Sequence, residues 1–107
     1  MRERVIEEYL RKKVKETGGI AYKMTSPARR ALPDRMCLFP NGVLVFVECK
    51  APGRKPTKLQ AIEMNRIKEL GHQAVYVDSH VAIDYLIRWA LQKGKDNVGN
   101  ETKGLKA

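Results

Sequence analysis

Asp34, Glu48 and Lys50 are the residues of this chain whose types and spacing could do chemistry. Glu48 and Lys50 end an apolar run, residues 43–47, where solvated charge is least expected. Two carboxylates on facing strands repel each other, and a divalent cation such as Mg²⁺ relieves that repulsion while keeping positions open for water and phosphate. On the residues alone, an edge-strand ion pair between Glu48 and Lys50, with Asp34 at a strand start, explains the pattern equally well.

A β-hairpin must bring these three residues together. Residues 40–42, with the sequence PNG, join two apolar runs and are typical of a hairpin turn. If the first two are helical and Gly42 is left-handed, they form a three-residue loop with a glycine bulge. Counting back along both strands then places Asp34 opposite Glu48, and the alternation of side chains puts Glu48 and Lys50 on one face.

The chain carries a strong positive charge. Its 107 residues, enough for one domain with a single core, include 21 Lys and Arg against 12 Asp and Glu, which gives a net charge of +9 and a pI near 9.8. Such a charge favours a polyanionic partner, either nucleic acid or an acidic membrane surface. No apolar run approaches the ~20 residues that cross a bilayer, and the charged N-terminus is not a signal peptide.

Cysteine and histidine do not form a recognisable site in this sequence. Cys37 and Cys49 lie in the apolar hairpin strands, without a CxxC spacing or a histidine near them. This placement predicts reduced, buried thiols in a cytoplasmic protein and disfavours a zinc site. His72 and His80 stand alone at the ends of predicted elements, where histidines are usually only solvated.

Hydrophobic periodicity predicts the element order αβββαβα, a sheet with helices against it. The predicted elements are a helix over about 3–17, strands over 20–24, 36–39 and 43–47, a helix over 57–70, a strand over 74–78 and a helix over about 80–92. The strand over 74–78 is apolar and is expected in the centre of the sheet. The last helix has a broad apolar surface around Trp89, which indicates burial or a second subunit. We predict one domain over 1–92 and a flexible basic tail over 93–107.

Glu7 and Gln60 each have a purely structural explanation. Glu7 lies at the margin of the apolar stripe of the first helix and pairs with Arg11 four residues on. Thr57 and Gln60 fit a capping box in which the Gln60 side chain reaches back to the Thr57 amide. A carboxylate of the first helix could also reach the hairpin, and periodicity alone does not choose which one.

The pattern Pro33-Asp34 … Glu48-Cys49-Lys50 resembles the PD-(D/E)xK nuclease superfamily. More narrowly, it is similar to the VRR-NUC (virus-type replication-repair nuclease) branch, in a small stand-alone form typical of phages and prophages. The resemblance spans about residues 3–88. Further matching segments are residues 6–10, 18–19, 23–27, 51–53 and 59–60, with Gly71 before the last strand. The resemblance implies a restriction-endonuclease-like α/β fold with a mixed sheet flanked by helices. One departure is Ala31, at a position where relatives often have glycine, and it leaves the conformation of this loop open.

The resemblance implies a metal-dependent endodeoxyribonuclease that hydrolyses phosphodiester bonds with Mg²⁺ or Mn²⁺. Asp34 and Glu48 match the metal-binding carboxylates of the family, and the Cys49 main-chain carbonyl matches a third ligand. Lys50 matches the catalytic lysine that orients or activates the attacking water and steadies the transition state.

Two further catalytic positions are implied by the same family. Its helix-1 carboxylate, which also binds metal, falls most naturally on Glu7, with Glu3 and Glu8 as alternatives. Gln60 matches a recurrent glutamine on the active-site side, so its capping role and a contact near the water compete or coexist.

The partner implied is DNA, cut as a branched structure or Holliday junction or nicked in a duplex, by a homodimer whose interface is the Trp89 helix. A cytoplasmic location in a bacterial host is implied as well. The residues expected to hold the DNA backbone without reading sequence are Lys23, Ser26, Arg29, Arg30, Arg35, Arg54, Lys55 and Lys58. Two other classes stay open: a non-catalytic basic DNA-binding module with a structural D…ExK set, and a basic protein of a membrane surface.

Overall fold

The computed structural model describes the backbone of residues 1–25 and 31–106 and the side chains of residues 1–25 and 31–99. Its elements follow the predicted order αβββαβα. They are α1 (Glu3–Glu16), β1 (Ile20–Lys23), β2 (Arg35–Phe39), a short 3₁₀ turn (Pro40–Gly42), β3 (Val43–Cys49), α2 (Lys58–Glu69), β4 (Gln73–Val77) and α3 (His80–Lys106). The fold is the expected mixed α/β arrangement, a four-stranded sheet flanked by helices.

The strands form one sheet in the order β1-β2-β3-β4. β2 is antiparallel to both neighbours, whereas β3 and β4 are parallel because α2 carries the chain back along the sheet. β4 is therefore an edge strand of the described sheet, and its predicted central position was wrong. Ala74 and Val77 are buried although β4 is at the edge, because α2 packs against β4 and Val77 joins the core with α3.

The hydrophobic core lies between one face of the sheet and helices α1 and α3. Ile6, Leu10 and Val14, spaced four residues apart on α1, are fully buried there. The strand residues that meet them in this core include Cys37, Val45, Val47 and Cys49. Because side chains alternate along a strand, Asp34 and Glu48 point to the opposite face.

The turn between β2 and β3 differs from the prediction at one residue. Asn41 and Gly42 both take left-handed backbone, with φ of 66° and 77°, whereas only Gly42 was expected to do so. Asparagine tolerates this region better than most residues with a side chain. The register is the predicted one: Arg35 lies opposite Val47, so the next positions outward, those of the two acidic residues, face each other.

α3 is longer than the predicted helix over 80–92 and continues to Lys106. Gly94 is buried against the turn, where a Cβ would lie 3.1 Å from the Pro40 carbonyl oxygen. The Asn97 side-chain amide donates to the Asn41 carbonyl at 3.0 Å. Gly94 thus allows close packing instead of ending the helix, and these contacts carry the helix past the predicted stop. No helix in the described ranges is long and apolar enough to cross a membrane.

Candidate active site

Two hydrogen bonds hold the Asp34 and Glu48 carboxylates at the end of the β2–β3 hairpin. The Asp34 N–H donates to Glu48 Oε1 at 3.2 Å, and the Cys49 N–H donates to Asp34 Oδ2 at 3.0 Å. Each carboxylate therefore accepts from the backbone of the opposite strand, which fixes both beside each other. The geometry that the turn predicted for these two residues is present.

Glu48 is the one charged residue that is buried among the described residues, with 2 % of its surface exposed. Its Oε2 atom lies 3.4 Å from Lys50 Nζ and accepts a hydrogen bond from Gln60 Nε2 at 3.1 Å. Burial, and then the negative charge of Asp34, raise the pKa of the Glu48 carboxyl to about 7, whereas Lys50 lowers it. The lysine thus compensates only part of the buried negative charge, and a bound cation would favour the ionised form of Glu48.

Gln60 combines the two roles that the sequence left open. Its Oε1 accepts from the Thr57 N–H at 2.9 Å, and its backbone N–H donates to Thr57 Oγ1 at 3.2 Å, which completes the capping box of α2. The other end of the same amide donates to Glu48. The first turn of α2 therefore lies on the same side of the sheet as the Glu48 carboxylate.

Glu7 and Arg35 pair with each other on the face that α1 covers. Glu7 Oε1 lies 3.2 Å from Arg35 Nε, and an Arg35 terminal nitrogen donates to the Ala21 carbonyl at 3.1 Å. Only 13 % of the Arg35 side chain and 15 % of the Glu7 side chain are exposed. Since Arg35 and Asp34 alternate along the chain, this pair lies on the other face of the sheet from the carboxylates. The metal role of Glu7 and the DNA contact of Arg35 stay predictions.

The donor atoms at the hairpin suit a hard divalent cation. In the described ranges, no group of three His, Cys, Asp and Glu side chains is close enough to hold a metal ion. The donors would be the Asp34 and Glu48 carboxylates together with the predicted Cys49 carbonyl. Mg²⁺ is commonly bound through one or two carboxylates and completes its shell with water and phosphate oxygens, so the oxygen set fits it.

The predicted DNA-contacting residues are only partly described. Lys23, Arg54, Lys55 and Lys58 are exposed. The loop before α2, which carries Arg54 and Lys55, is fixed by a hydrogen bond from the Gly53 N–H to Asp78 Oδ2 at 3.3 Å. Ser26, Arg29 and Arg30 lie outside the described residues.

The remaining candidates from the sequence lie elsewhere. Cys37 and Cys49 are free and buried, as predicted, and burial raises the pKa of the Cys37 thiol to about 12 and that of Cys49 as well. His72 is exposed, and His80 stacks on Tyr9 with the ring centroids 3.8 Å apart. Sequence reasoning missed the Asp78 anchor, whose only signal was its position after the last strand.

Comparison with known proteins identifies the family. The chain matches no family model. It is 53% identical over 79 residues to a protein named "Putative nuclease p44" from Acyrthosiphon pisum secondary endosymbiont phage 1. The matched residues make up 74% of this chain and 85% of that protein. A solved structure described as a VRR-NUC domain superposes with a TM-score of 0.75 and 30% sequence identity, over 80% of this chain and 94% of its own. The chain belongs to the VRR-NUC family of nucleases.

Proposed function

We propose that this nuclease is a divalent-metal-dependent DNA endonuclease and that Asp34, Glu48 and Lys50 form its active centre. The observation that supports the proposal is a buried, partly uncompensated carboxylate facing a second carboxylate beside a lysine amine. A protein without a ligand for this site would gain stability by replacing such a pair with apolar residues. Keeping the pair is consistent with a binding or catalytic use.

Asp34 and Glu48, with the Cys49 carbonyl, would hold Mg²⁺ or Mn²⁺. When bound, the cation supplies charge that polarises a phosphodiester and acidifies a water molecule. Lys50 Nζ, 3.4 Å from Glu48 Oε2 and only 14 % exposed as a side chain, places a positive charge where negative charge develops on the phosphate. Gln60 holds Glu48 from the side of α2, so that this carboxylate has a defined orientation.

The exposed cations of the described chain provide the substrate contacts in this proposal. Lys23 is the last residue of β1, Arg54 and Lys55 lie between Lys50 and α2, and Lys58 is the first residue of α2. Such lysines and arginines bind phosphates without reading bases. We therefore expect selectivity for DNA structure, branched or nicked, instead of for sequence, in the cytoplasm of a bacterial host.

A homodimer would provide two active centres for paired cuts. An apolar groove of about 600 Å³ runs between the free edge of β4 and α3. On its α3 side, Val81 is 77% exposed and Tyr85 is 67% exposed, and Trp89 lines the groove. An uncharged edge strand beside exposed aromatic residues is the kind of surface that a second copy covers.

Nicking of supercoiled plasmid and cleavage of a four-way junction with Mg²⁺ or Mn²⁺ test the proposal. We expect cleavage by the wild type, and a loss of at least 100-fold in Lys50→Ala with DNA binding retained, since removal of one charge from the transition state costs about 10² to 10³. Lys68→Ala, at the other end of α2 from Gln60, is the matched lysine control. Equal cleavage by wild type and Lys50→Ala would contradict the assigned centre.

Two other functions predict different outcomes in the same assay. A non-catalytic DNA-binding module would bind the plasmid with strong salt dependence and never cut it. A membrane-surface protein would associate with anionic liposomes instead. Neither is favoured by a specific contact among the described residues.

A further inference from the structure

The capping box of α2 and the carboxylate pair share one side chain, that of Gln60. Its Oε1 is held by the Thr57 N–H, and its Nε2 donates to Glu48 Oε2. A backbone N–H can only donate, so it requires the amide oxygen. The nitrogen is then forced to the other side, toward the carboxylate. The orientation of the Gln60 amide is thus set by the helix cap.

From this arrangement we infer that Thr57 is a positioning residue, which acts through Gln60 to orient Glu48. The Thr57 hydroxyl accepts from the Gln60 backbone N–H at 3.2 Å and so fixes the first turn of α2 on which Gln60 stands. The inference rests on the proposed function, because it assigns Thr57 a role in that same site. The inference goes beyond the proposed function, because Thr57 itself contacts neither carboxylate.

The residue type at position 60 supports this reading. Glutamate and glutamine serve equally well at the third position of a capping box, since both offer an oxygen to the N-cap amide. Only glutamine can at the same time donate to Glu48. A glutamate at position 60 would keep the cap and place a third carboxylate against Asp34 and Glu48, so the site, and not the helix, requires the amide.

The chain contains a matched control cap. Ser79 precedes α3, and its Oγ accepts from the Ala82 N–H at 3.0 Å. Removal of either cap should cost a similar amount of stability, since Ser or Thr caps replaced by alanine lose comparable free energy. Thr57→Ala and Ser79→Ala therefore separate a loss of cap stability from a loss of Gln60 orientation.

The first test is independent of nuclease activity. In ¹H–¹⁵N spectra of the metal-free protein, the Gln60 side-chain amide, assigned by its absence in Gln60→Glu, should exchange slowly with solvent. We expect Thr57→Ala to raise that exchange rate about fivefold or more, the ratio that corresponds to the free energy of one helix cap. Thr57→Ser and Ser79→Ala should change the exchange rate by less than about twofold. An unchanged rate in Thr57→Ala would overturn the inference, whether or not the protein cuts DNA.

The second test measures cleavage. We expect Thr57→Ala to lower kcat about fivefold with KM for DNA unchanged, Thr57→Ser to restore it, and Ser79→Ala to have no effect. Gln60→Glu should lose more than Thr57→Ala, and Thr57→Ala should add nothing to it. Should Thr57→Ala fail to fold by circular dichroism, Thr57→Gly, which retains most of the cap stability, replaces it. Equal losses in the Thr57 and Ser79 variants would reduce Thr57 to a structural cap.

Discussion

At the scale of single residues, Glu48 concentrates the conflict between stability and function. It is almost fully buried, faces Asp34, and has the Asp34 N–H, the Lys50 amine and the Gln60 amide as partners. The pattern of an apolar run ending in ExK allowed this residue and its facing acid to be predicted from the sequence. The partner of Glu7 could not be predicted, because periodicity places a side chain on a helix face without saying which strand residue it meets.

Because the Glu48 pKa is raised to about 7 from an ordinary value of 4.5, the metal-free protein should lose stability as the pH rises. At a pH between these two pKa values, Glu48 is protonated in the folded state, whereas in the unfolded state it has already released its proton. The stabilisation of the folded state by this bound proton is therefore complete below about pH 4.5 and is lost as the pH rises through about 7. We expect the free energy of unfolding, measured in urea with EDTA, to fall by up to about 3 kcal/mol between pH 5 and 8.

The control for this pH dependence is Glu48→Gln, which cannot titrate at position 48. Its free energy of unfolding should change much less over the same interval, the remainder being due to other groups. If wild type and Glu48→Gln show the same pH dependence, the buried carboxyl is not the source.

At the scale of elements, local patterns predicted what each segment is, but not always what it packs against. The capping box was predicted from Thr57 and Gln60, because it needs only residues three apart. The length of α3 was not, because Gly94 looks like a helix terminator until its contact with the turn is known. The prediction that β4 lies at the sheet centre failed in a similar way. An apolar strand sequence indicates that the strand is covered, but it does not say whether helices or neighbouring strands cover it.

Gly94 should therefore respond to substitution differently from Gly99, which lies on the same helix with open space where a Cβ would be. Gly99→Ala should raise the free energy of unfolding by about 0.5–1 kcal/mol through helix propensity. At Gly94 the added Cβ would approach the Pro40 carbonyl oxygen to 3.1 Å, so Gly94→Ala should gain less and Gly94→Val should lose about 1–3 kcal/mol. Urea denaturation measures all three, and equal gains from alanine at both positions would show that α3 does not need this close approach.

At the scale of the whole molecule, a net charge of +9 and an uncovered apolar groove make opposite demands. Two copies of this cationic chain repel each other at separations shorter than the screening length of the salt, and this repulsion opposes self-association. In the proposed homodimer, the groove between β4 and α3 would supply a local apolar contact that exceeds this repulsion. Because the same charges are the proposed DNA contacts, a polyanion bound to both copies should strengthen the proposed dimer by neutralising them.

Tyr85→Glu tests this balance, because it places a negative charge in the centre of the groove. We expect the wild type to elute as a dimer in size exclusion with light scattering, and Tyr85→Glu as a folded monomer. The matched control is Leu70→Glu, at a residue of similar exposure, 72% against 67%, that lies outside the groove. Lower salt should weaken the wild-type dimer, since repulsion between the two cationic copies is then less screened. A wild type that stays monomeric at micromolar concentration in 0.5 M salt, or a dimer unchanged by Tyr85→Glu, would remove this groove as the interface.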